Sequence, residues 1–177
     1  GYGVVDAGIA GNRVLTDAVD PGRGISAERR FAHDALDVTG VRVVILLEGI
    51  NDVGTLIGPY GSRLTAADLI SGYEDLIEQA HTAHVRIIGG TLLPYRGSPF
   101  DSSAGEAIRA QVNTWIRSSG AFDGVIDFAA AMGAHSDPAA LDHAYDCGDH
   151  LHPNDAGARE LADAAEPVLR QVLRVAG

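Results

Sequence analysis

Short apolar runs alternate with longer amphipathic segments along this chain. Four runs rich in valine and isoleucine, at residues 2–7, 42–47, 85–90 and 124–128, have the length and composition of buried strands. Helix-length segments separate them. This strand–helix alternation predicts an α/β fold in which a parallel sheet is covered by helices on both faces.

The segments between the runs carry apolar residues at helical spacing. Ser26 is expected to cap a short helix that carries Phe31 and Leu36. Thr65 and Asp68 form a capping-box pattern at the start of a second helix. The other positions at helical spacing are Leu69, Tyr73, Leu76, Ile77 and Ala80 in the second helix, Ile108, Val112, Trp115 and Ile116 in a third, and Leu161, Ala165, Val168, Leu169, Val172 and Leu173 in a last helix that Asn154 or Asp155 caps.

Polar clusters follow the predicted strands. "GIAGN" (8–12) follows the first, "EGIND" (48–52) the second and "TLLPYRG" (91–97) the third, and "DCGDHLHPNDAG" (146–157) lies between the fourth strand and the last helix. Ligands of open parallel sheets bind beyond the carboxyl ends of the strands. We therefore expect these clusters to meet on one rim of the sheet, which would carry the functional site.

Composition excludes some classes of protein. The 177 residues are 46% hydrophobic and 21% charged, which fits one globular domain over residues 1–177. A net charge of −11 argues against nucleic acid and anionic membrane surfaces as partners. Glu48 interrupts the apolar run before it reaches the length of a membrane span. Cys147 is the single cysteine, so neither an internal disulfide nor a thiolate metal cluster is expected.

The first two clusters each allow a catalytic and a structural interpretation. Gly8 and Gly11 either expose backbone N–H groups to a ligand or form a plain turn, and no phosphate-loop pattern is present. Asn51 can donate its side-chain N–H to a developing oxyanion. Asp52 beside it can instead cap the next turn. Glu48 ends an apolar run, so it is either buried with a partner or already at the rim.

The last cluster allows three interpretations. His150 and His152 stand two residues apart, so in an extended chain they can share a zinc ion with Asp149 or Asp146. Apart from nearby His143, no further ligand occurs at a recognisable zinc spacing. Alternatively, Asp149 pairs with His152 and fixes the tautomer of a catalytic imidazole. The third interpretation is a polar turn without chemistry.

Taken together, the clusters resemble a known family. "GIAGN", "EGIND" and "DHLHPN" are similar, in order and spacing, to the second, third and last sequence blocks of the SGNH hydrolases, the GDSL-type esterases and lipases. The resemblance covers nearly the whole chain. "GNRVLTD", "RFAHDAL" and "NTWIRSSGAFDGVIDF" look closer to the carbohydrate-esterase branch, which includes acetylxylan-esterase-like members. The resemblance implies a three-layer α/β/α sandwich with a flavodoxin-like parallel sheet, and a serine esterase for carbohydrate O-acetyl or short-chain acyl esters that needs no cofactor or metal.

The resemblance also assigns roles to individual residues. His152 would be the general base, and Asp149 would orient it. The backbone N–H of Gly11 and the side-chain amide of Asn51 would donate to the oxyanion. Loops at 53–64 and 92–106 would supply the substrate-binding walls, with the candidate side chains Tyr60, Tyr95, Arg96 and Phe100.

One block of the family has no counterpart in residues 1–177. The family's nucleophilic serine belongs to a Gly-Asp-Ser block at the end of a strand, and no serine of this chain stands in that context. In the family's usual sheet order, 2-1-3-4-5, that strand is the central one. We therefore expect a segment upstream of residue 1, in the same polypeptide or as a separate fragment, to supply the strand and the serine.

Two other functions remain open from the sequence. One is an SGNH-like scaffold that binds carbohydrate without turnover. The other is a flavodoxin-like protein that binds a nucleotide or a metal. If the protein is a carbohydrate esterase, a secreted or extracytoplasmic location is expected.

Overall fold

Three of the four valine- and isoleucine-rich runs form one parallel sheet. The computed structural model describes residues 3–174, and the strands lie in the order β1-β2-β3, with Val44 opposite Ile87. The expected α/β class with a parallel sheet is confirmed. The strands of this sheet are β1 (Val43–Leu46), β2 (Arg86–Gly90) and β3 (Gly124–Ile126).

Helices pack on both faces of this sheet. On one face, Ile87 joins a core cluster with Leu69 and Leu76. On the other face, Ile88 packs with Val172 in a smaller cluster. The helices are α1 (Ala27–Phe31), α2 (Ile50–Thr55), α3 (Ala66–Thr82), α4 (Ser103–Ser118), α5 (Phe128–Met132) and α6 (Asp155–Arg174), and shorter helical turns span Pro21–Arg23, Ala32–Leu36 and Pro59–Gly61.

The N-termini of the helices show which of the predicted capping residues form hydrogen bonds. Thr65 and Asp68 form the expected capping box of α3. Asn154, rather than Asp155, caps α6, because its Oδ1 accepts from the backbone N–H groups of the second and third helical residues at 2.9 and 3.0 Å. Ser26 occupies the N-cap position of α1 as expected, but its side chain makes no capping hydrogen bond.

The longest helix, α6, is amphipathic. Val172 is buried, while Arg170 and Glu166 form an ion pair on the exposed side. Apolar residues that repeat every three or four positions, as predicted, produce this arrangement. Within residues 3–174, no helix combines the length and the apolar composition needed to cross a membrane.

The strand predicted at residues 2–7 does not form. Tyr2 lies outside the described residues, and residues 3–7 adopt no strand. Val4 and Val5 are 90% and 67% exposed. A strand is stable only when a neighbouring strand satisfies its backbone groups, and these residues are paired with none of the described strands. An apolar, β-branched composition alone is therefore insufficient to form a strand at this position.

The last predicted strand is shorter than expected, and a hairpin follows it. Asp127 ends the run, since its side chain caps α5, so Phe128 is helical. A two-stranded antiparallel hairpin, β4 (Gly133–Ala134) with β5 (Asp137–Leu141), then precedes the last polar cluster. No local pattern predicted this hairpin, because proline and alanine are poor strand formers.

Candidate active site

The loop before α6 holds Asp149 and His152 as a hydrogen-bonded pair. Asp149 Oδ2 lies 2.7 Å from His152 Nδ1. The other carboxylate oxygen, Oδ1, accepts from the backbone N–H groups of His152 at 2.8 Å and Leu151 at 2.9 Å. The backbone N–H and then the imidazole of His152 hold the pKa of Asp149 well below its usual range. An ionised carboxylate therefore fixes Nδ1 of His152 and leaves Nε2 for a reacting group.

Hydrogen bonds within the loop fix the backbone around this pair. The backbone N–H of Cys147 donates to the His152 carbonyl at 3.0 Å, and that of Asn154 donates to the Tyr145 carbonyl at 2.7 Å. The Asn154 side-chain amide donates to the carbonyls of Ala144 at 2.9 Å and of residue 146 at 3.1 Å. The loop therefore presents His152 from a well-braced backbone.

A second histidine–carboxylate pair lies in the same loop. His150 Nδ1 is 2.7 Å from Asp146 Oδ2. Asp146 Oδ1 accepts from the backbone N–H groups of Gly148 at 2.8 Å and His150 at 3.0 Å. The Asp146 side chain is only 8% exposed, whereas that of Asp149 is 44% exposed. His150 has a φ of 62°, a left-handed conformation that non-glycine residues rarely adopt.

The zinc interpretation finds little support in this geometry. Possible ligand atoms of Asp146, Cys147 and Asp149 lie within 4.8 Å of one another. His150 and His152 do not belong to this group among the described residues, and their Nδ1 atoms face different carboxylates. The two imidazoles are therefore not arranged as ligands of one shared ion.

The side chain of Asn51 contacts the loop that carries Gly11. The side-chain amide of Asn51 donates to the backbone carbonyl of Asn12 at 2.9 Å. Gly11 has a φ of 76°, and a Cβ there would lie 2.9 Å from Arg23 Cδ. Glycine therefore allows this loop to turn tightly beside Asn51. The second N–H of the Asn51 amide makes no hydrogen bond within residues 3–174.

Asn12 fixes the Gly11 loop from inside. Its side chain is fully buried, and its amide donates to the carbonyls of Arg23 at 2.7 Å and Ile25 at 2.8 Å. Its Oδ1 accepts from Arg30 Nε at 2.9 Å. Arg30 also donates to the Ala7 carbonyl at 2.7 Å. Sequence reasoning missed this role, for which the only signal was an asparagine directly after the glycine.

Asp52 has a structural role different from the turn cap that the sequence suggested. Its carboxylate is fully buried and accepts from the backbone N–H groups of Val14 at 2.8 Å and Leu15 at 3.1 Å. Burial raises the pKa of Asp52 to about 6, against the lowering effect of these hydrogen bonds. Asp52 thus ties α2, which carries Asn51, to the segment that follows Gly11.

Glu48 is half-buried just beyond the end of β1. Burial first, and then the nearby Asp52 carboxylate, raise the pKa of Glu48 to about 8. Its backbone carbonyl accepts from the Tyr73 hydroxyl at 2.6 Å. The structure matches neither of the two expected positions fully: Glu48 is half-buried, and its carboxylate makes no hydrogen bond to another side chain among the described residues.

Two of the candidate substrate-binding residues are accessible from the loops around the rim. Tyr60 is fully exposed at the tip of its loop, with a φ of 56°. Phe100 is 37% exposed and packs on α2, where a Cβ at Gly54 would lie 3.0 Å from its ring. In the same loop, a Cβ at Gly97 would lie 3.4 Å from His150 Cδ2. The 97–100 segment thus contacts both the histidine loop and α2.

Of the other two candidates, Tyr95 is buried and Arg96 is paired within the fold. Tyr95 is fully buried, so its side chain has no surface to offer a substrate in this structure. Arg96 forms an ion pair with Asp137 of β5, with an Nη1–Oδ2 distance of 2.7 Å. Tyr95 is therefore not part of the surface that a substrate can contact.

The nucleophile is the component that the described residues do not supply. No serine, threonine or cysteine side chain within residues 3–174 is hydrogen-bonded to the His152 imidazole. The hydrogen-bonded pair of Asp149 and His152 and two candidate oxyanion donors, Gly11 and Asn51, are present.

Comparison with known proteins assigns the family. The model of the GDSL-like lipase/acylhydrolase family matches residues 1–160. The chain belongs to this family. Membership favours the hydrolase interpretation over the flavodoxin-like nucleotide- or metal-binding alternative. A search of curated proteins returned no match.

Solved structures show the same fold at low sequence identity. A GDSL-like lipase from Bacteroides thetaiotaomicron is 20% identical, with a TM-score of 0.63 over 85% of this chain and 70% of its own. The acetylxylan esterase Axe2 from Geobacillus stearothermophilus is also 20% identical, with a TM-score of 0.56 over 82% of this chain and 65% of its own. This member of the GDSL-like family therefore has the α/β architecture of solved hydrolases, each of which contains additional chain.

Proposed function

We propose that this GDSL-like family member is the base-bearing part of a serine esterase that hydrolyses carboxylic esters. The observation that supports this most directly is the 2.7 Å contact between Asp149 and His152 Nδ1, which leaves Nε2 available. An imidazole oriented by an ionised carboxylate is a general base. The loop contacts around the pair reduce its freedom to reorient.

The reaction proceeds by acyl transfer to a serine and then to water. His152 Nε2 takes the proton of the serine hydroxyl while the serine oxygen attacks the acyl carbon. The resulting imidazolium gives that proton to the leaving alcohol as the ester C–O bond breaks. Water then attacks the acyl-serine with the same help from His152, which releases the acid and restores the serine.

The amide of Asn51 and the backbone N–H of Gly11 stabilise the oxyanion. The contact between Asn51 and the Asn12 carbonyl holds the amide beside the Gly11 loop, and the amide keeps one N–H free among the described residues. Preorganised donors of this kind contribute about 3–4 kcal/mol each to lowering the barrier.

Carbohydrate O-acetyl esters and other short-chain acyl esters are the proposed substrates. The rim is open, and the exposed rings of Tyr60 and Phe100 offer flat apolar faces on which a sugar ring can stack. Arg96 lies on the same loop as Phe100 and adds a polar contact. The name of the structural neighbour Axe2, an acetylxylan esterase, is consistent with this class.

A fluorophosphonate serine probe combined with intact-mass measurement tests the proposal. We expect residues 1–177 alone to remain unlabelled, and a longer polypeptide that contains them to gain one adduct on a serine outside them. His152→Ala in that polypeptide should abolish labelling, while the matched His143→Ala, at a side chain 99% exposed, should label normally. Labelling within residues 1–177, or equal labelling of the His152 variant, would contradict the proposal.

A non-catalytic carbohydrate-binding scaffold is the second candidate. It is favoured by the lack of a hydroxyl partner for His152 among the described residues. If no longer form is labelled and the protein binds acetylated xylo-oligosaccharide without releasing acetate, this second function replaces the esterase.

A further inference from the structure

His150 is an exposed histidine with one ring nitrogen already paired. Its Nδ1 lies 2.7 Å from Oδ2 of Asp146, whose side chain is only 8% exposed. The other Asp146 oxygen accepts from the backbone N–H groups of Gly148 at 2.8 Å and His150 at 3.0 Å. An ionised carboxylate can only accept hydrogen bonds, so Nδ1 of the neutral imidazole carries the proton. Nε2 of His150 is therefore an unprotonated acceptor.

The acceptor on His150 is open to a ligand and fixed in direction. The side chain is 57% exposed, and within residues 3–174 no hydrogen bond joins its Nε2 to another protein atom. The contact with the buried Asp146 carboxylate holds the ring at Nδ1, on the same side chain. Because that carboxylate is itself held by two backbone N–H groups, the imidazole presents Nε2 in one orientation.

The imidazole of His150 lies where the histidine loop meets the proposed substrate wall. A Cβ at Gly97 would lie 3.4 Å from His150 Cδ2, the ring carbon that is bonded to Nε2. Gly97 begins the 97–100 segment, and Phe100 ends it with a ring that is 37% exposed. Nε2 of His150 is thus beside the segment that carries one of the proposed stacking surfaces for a sugar.

The backbone conformation of His150 indicates that its side chain is needed. Its φ of 62° lies in the left-handed region, where glycine is the favoured residue. Two residues earlier the same loop has glycine at such a position, Gly148, with a φ of 109°. Non-glycine residues held in this conformation cluster at functional sites. A histidine at a position that suits glycine therefore points to a contribution from the imidazole.

The short distance to His152 places His150 on the alcohol side of the ester. Consecutive Cα atoms are 3.8 Å apart, so the Cα atoms of the two histidines are separated by at most about 7.6 Å. In the proposed reaction His152 gives a proton to the leaving alcohol, which must therefore lie beside His152 Nε2. The acyl oxygen lies instead at the donors from Gly11 and Asn51. The acceptor on His150 is consequently suited to a group on the alcohol.

We propose that His150 is a specificity-determining residue whose Nε2 accepts a hydrogen bond from a free hydroxyl group on the alcohol part of the ester. The preferred substrates are then partly acylated sugars and polyols, in which a hydroxyl stands near the ester, rather than simple alkyl esters or fully substituted sugars. This inference rests on the proposed function for the reaction, but the hydrogen bond itself needs only His150 and Asp146. A methyl ether has no hydrogen to donate, so it distinguishes this contact from general binding.

Nitrogen NMR of the histidine side chains in residues 1–177 tests the hydrogen bond without turnover. The probes are a mono-O-acetylated methyl xyloside and the same compound with its remaining hydroxyl groups methylated. We expect His150 to carry its proton on Nδ1 before any probe is added, and the hydroxyl probe, but not the ether, to shift the Nε2 resonance. A proton on Nε2 at the start, no shift, or equal shifts by both probes would overturn the inference.

Variants of the pair provide a kinetic test in an active polypeptide that contains residues 1–177. The parent should prefer the hydroxyl probe over the ether by about tenfold or more in kcat/KM, because a polar group built to bind a hydroxyl rejects an analogue without one. His150→Gly suits the left-handed backbone and removes the acceptor, so the ratio should fall to about one. His143→Ala, the matched control at a side chain 99% exposed, should keep the full ratio. An unchanged ratio in the His150 variant would contradict the inference.

Asp146→Asn separates recognition from a merely structural role. The amide keeps an oxygen for the backbone N–H groups of Gly148 and His150 and donates its N–H to Nδ1, which moves the ring proton of His150 to Nε2. Nε2 then donates, and a hydroxyl and an ether can both accept. The ratio should therefore fall because kcat/KM for the ether rises. A fall caused only by equal losses on both probes, or a preserved ratio, would count against the inference.

The two experiments together separate the inference from the proposed function. A shift of the His150 resonance by the hydroxyl probe alone, in a protein whose longer form hydrolyses no ester, would support the hydrogen bond and contradict the esterase. Hydrolysis that needs His152 but proceeds equally well with both probes would support the esterase and overturn the inference.

Discussion

The carboxylates of the histidine loop and those at the end of β1 are held in opposite ways. In the loop, backbone N–H groups and a histidine lower the pKa of Asp149. At the end of β1, burial raises the pKa of Glu48 to about 8 and that of Asp52 to about 6. The loop therefore stabilises negative charge, whereas the end of β1 opposes it.

The two regions also differ in how many hydrogen-bond partners their carboxylates have. Donors from within the loop already satisfy both oxygens of Asp149. Glu48 lies at the end of an open groove, and its carboxylate makes no hydrogen bond to another side chain among the described residues. We infer that the base of the proposed reaction is held in place by its own loop, whereas the Glu48 carboxylate has no side-chain partner that would favour its ionised form.

The largest loss of activity is expected from a change in the histidine loop. His152→Ala should reduce ester hydrolysis by at least about 10³-fold in an active polypeptide that contains residues 1–177, because the only proposed base is lost. Initial rates with 4-nitrophenyl acetate measure this. An activity within tenfold of the parent would refute the role of His152.

The second-largest effect is expected for Asn51 in α2. Asn51→Ala should lower kcat by about 10²–10³-fold, since one oxyanion donor is removed. The matched Asn51→Asp variant has a similar size but replaces the donor amide with a carboxylate, and it should be at least as impaired. An unchanged kcat in Asn51→Ala would remove Asn51 from the proposed mechanism.

The pH dependence of the free energy of unfolding should reveal the raised pKa of Glu48. Burial raises the pKa of Glu48 from its ordinary value of 4.5 to about 8 on folding. The unfolded chain therefore loses this proton first, and stability falls as pH rises between these values. Glu48→Gln should be more stable than the parent at pH 8.5 by an amount of the order of a few kcal/mol, and about equal to it at pH 5.

Urea denaturation of both proteins at the two pH values measures this difference. Glu74→Gln, at an exposed position on α3, serves as the control and should show no such dependence on pH. If Glu48→Gln destabilises the chain equally at both pH values, the buried carboxylate is instead stabilised by contacts in its ionised form.

The smallest effect separates the two histidine–carboxylate pairs. Both have 2.7 Å contacts, but His150 pairs with the buried Asp146 and packs against the 97–100 segment. His150→Ala should therefore lower kcat less than about tenfold, far less than His152→Ala. His150→Gly, which suits the left-handed backbone, should stabilise the loop relative to alanine. If His150 proved essential, the assignment of the base would move to it.

Local patterns predicted the fold well where they also determined the contacts. The capping box of Thr65 and Asp68 starts α3 as expected, because both partners lie within one helical turn. The run at 42–47 became β1, because β2 provides a parallel partner. The similar run at 2–7 failed as a strand prediction, since strand formation depends on a neighbour that no local pattern reveals.

The site shows the same limit. The Asp149–His152 pair was predicted from residues three positions apart, and the structure forms it. The contact of Asp52 with Val14 joins residues 38 positions apart and was not visible in the sequence. Tyr95 was a candidate for the pocket from its place in a loop, but tertiary packing buries it.

The hydrogen bonds that shape the histidine loop have a consequence for how it can be inherited. The contacts of Asp149 with residues 151 and 152, and of Asn154 with residues 144–146, begin and end within a short continuous stretch. Because its hydrogen bonds are internal, this stretch can be transferred to another protein by recombination or engineering with those hydrogen bonds retained. A recipient then needs only a helix for Asn154 to cap and a neighbouring loop that leaves room for His150.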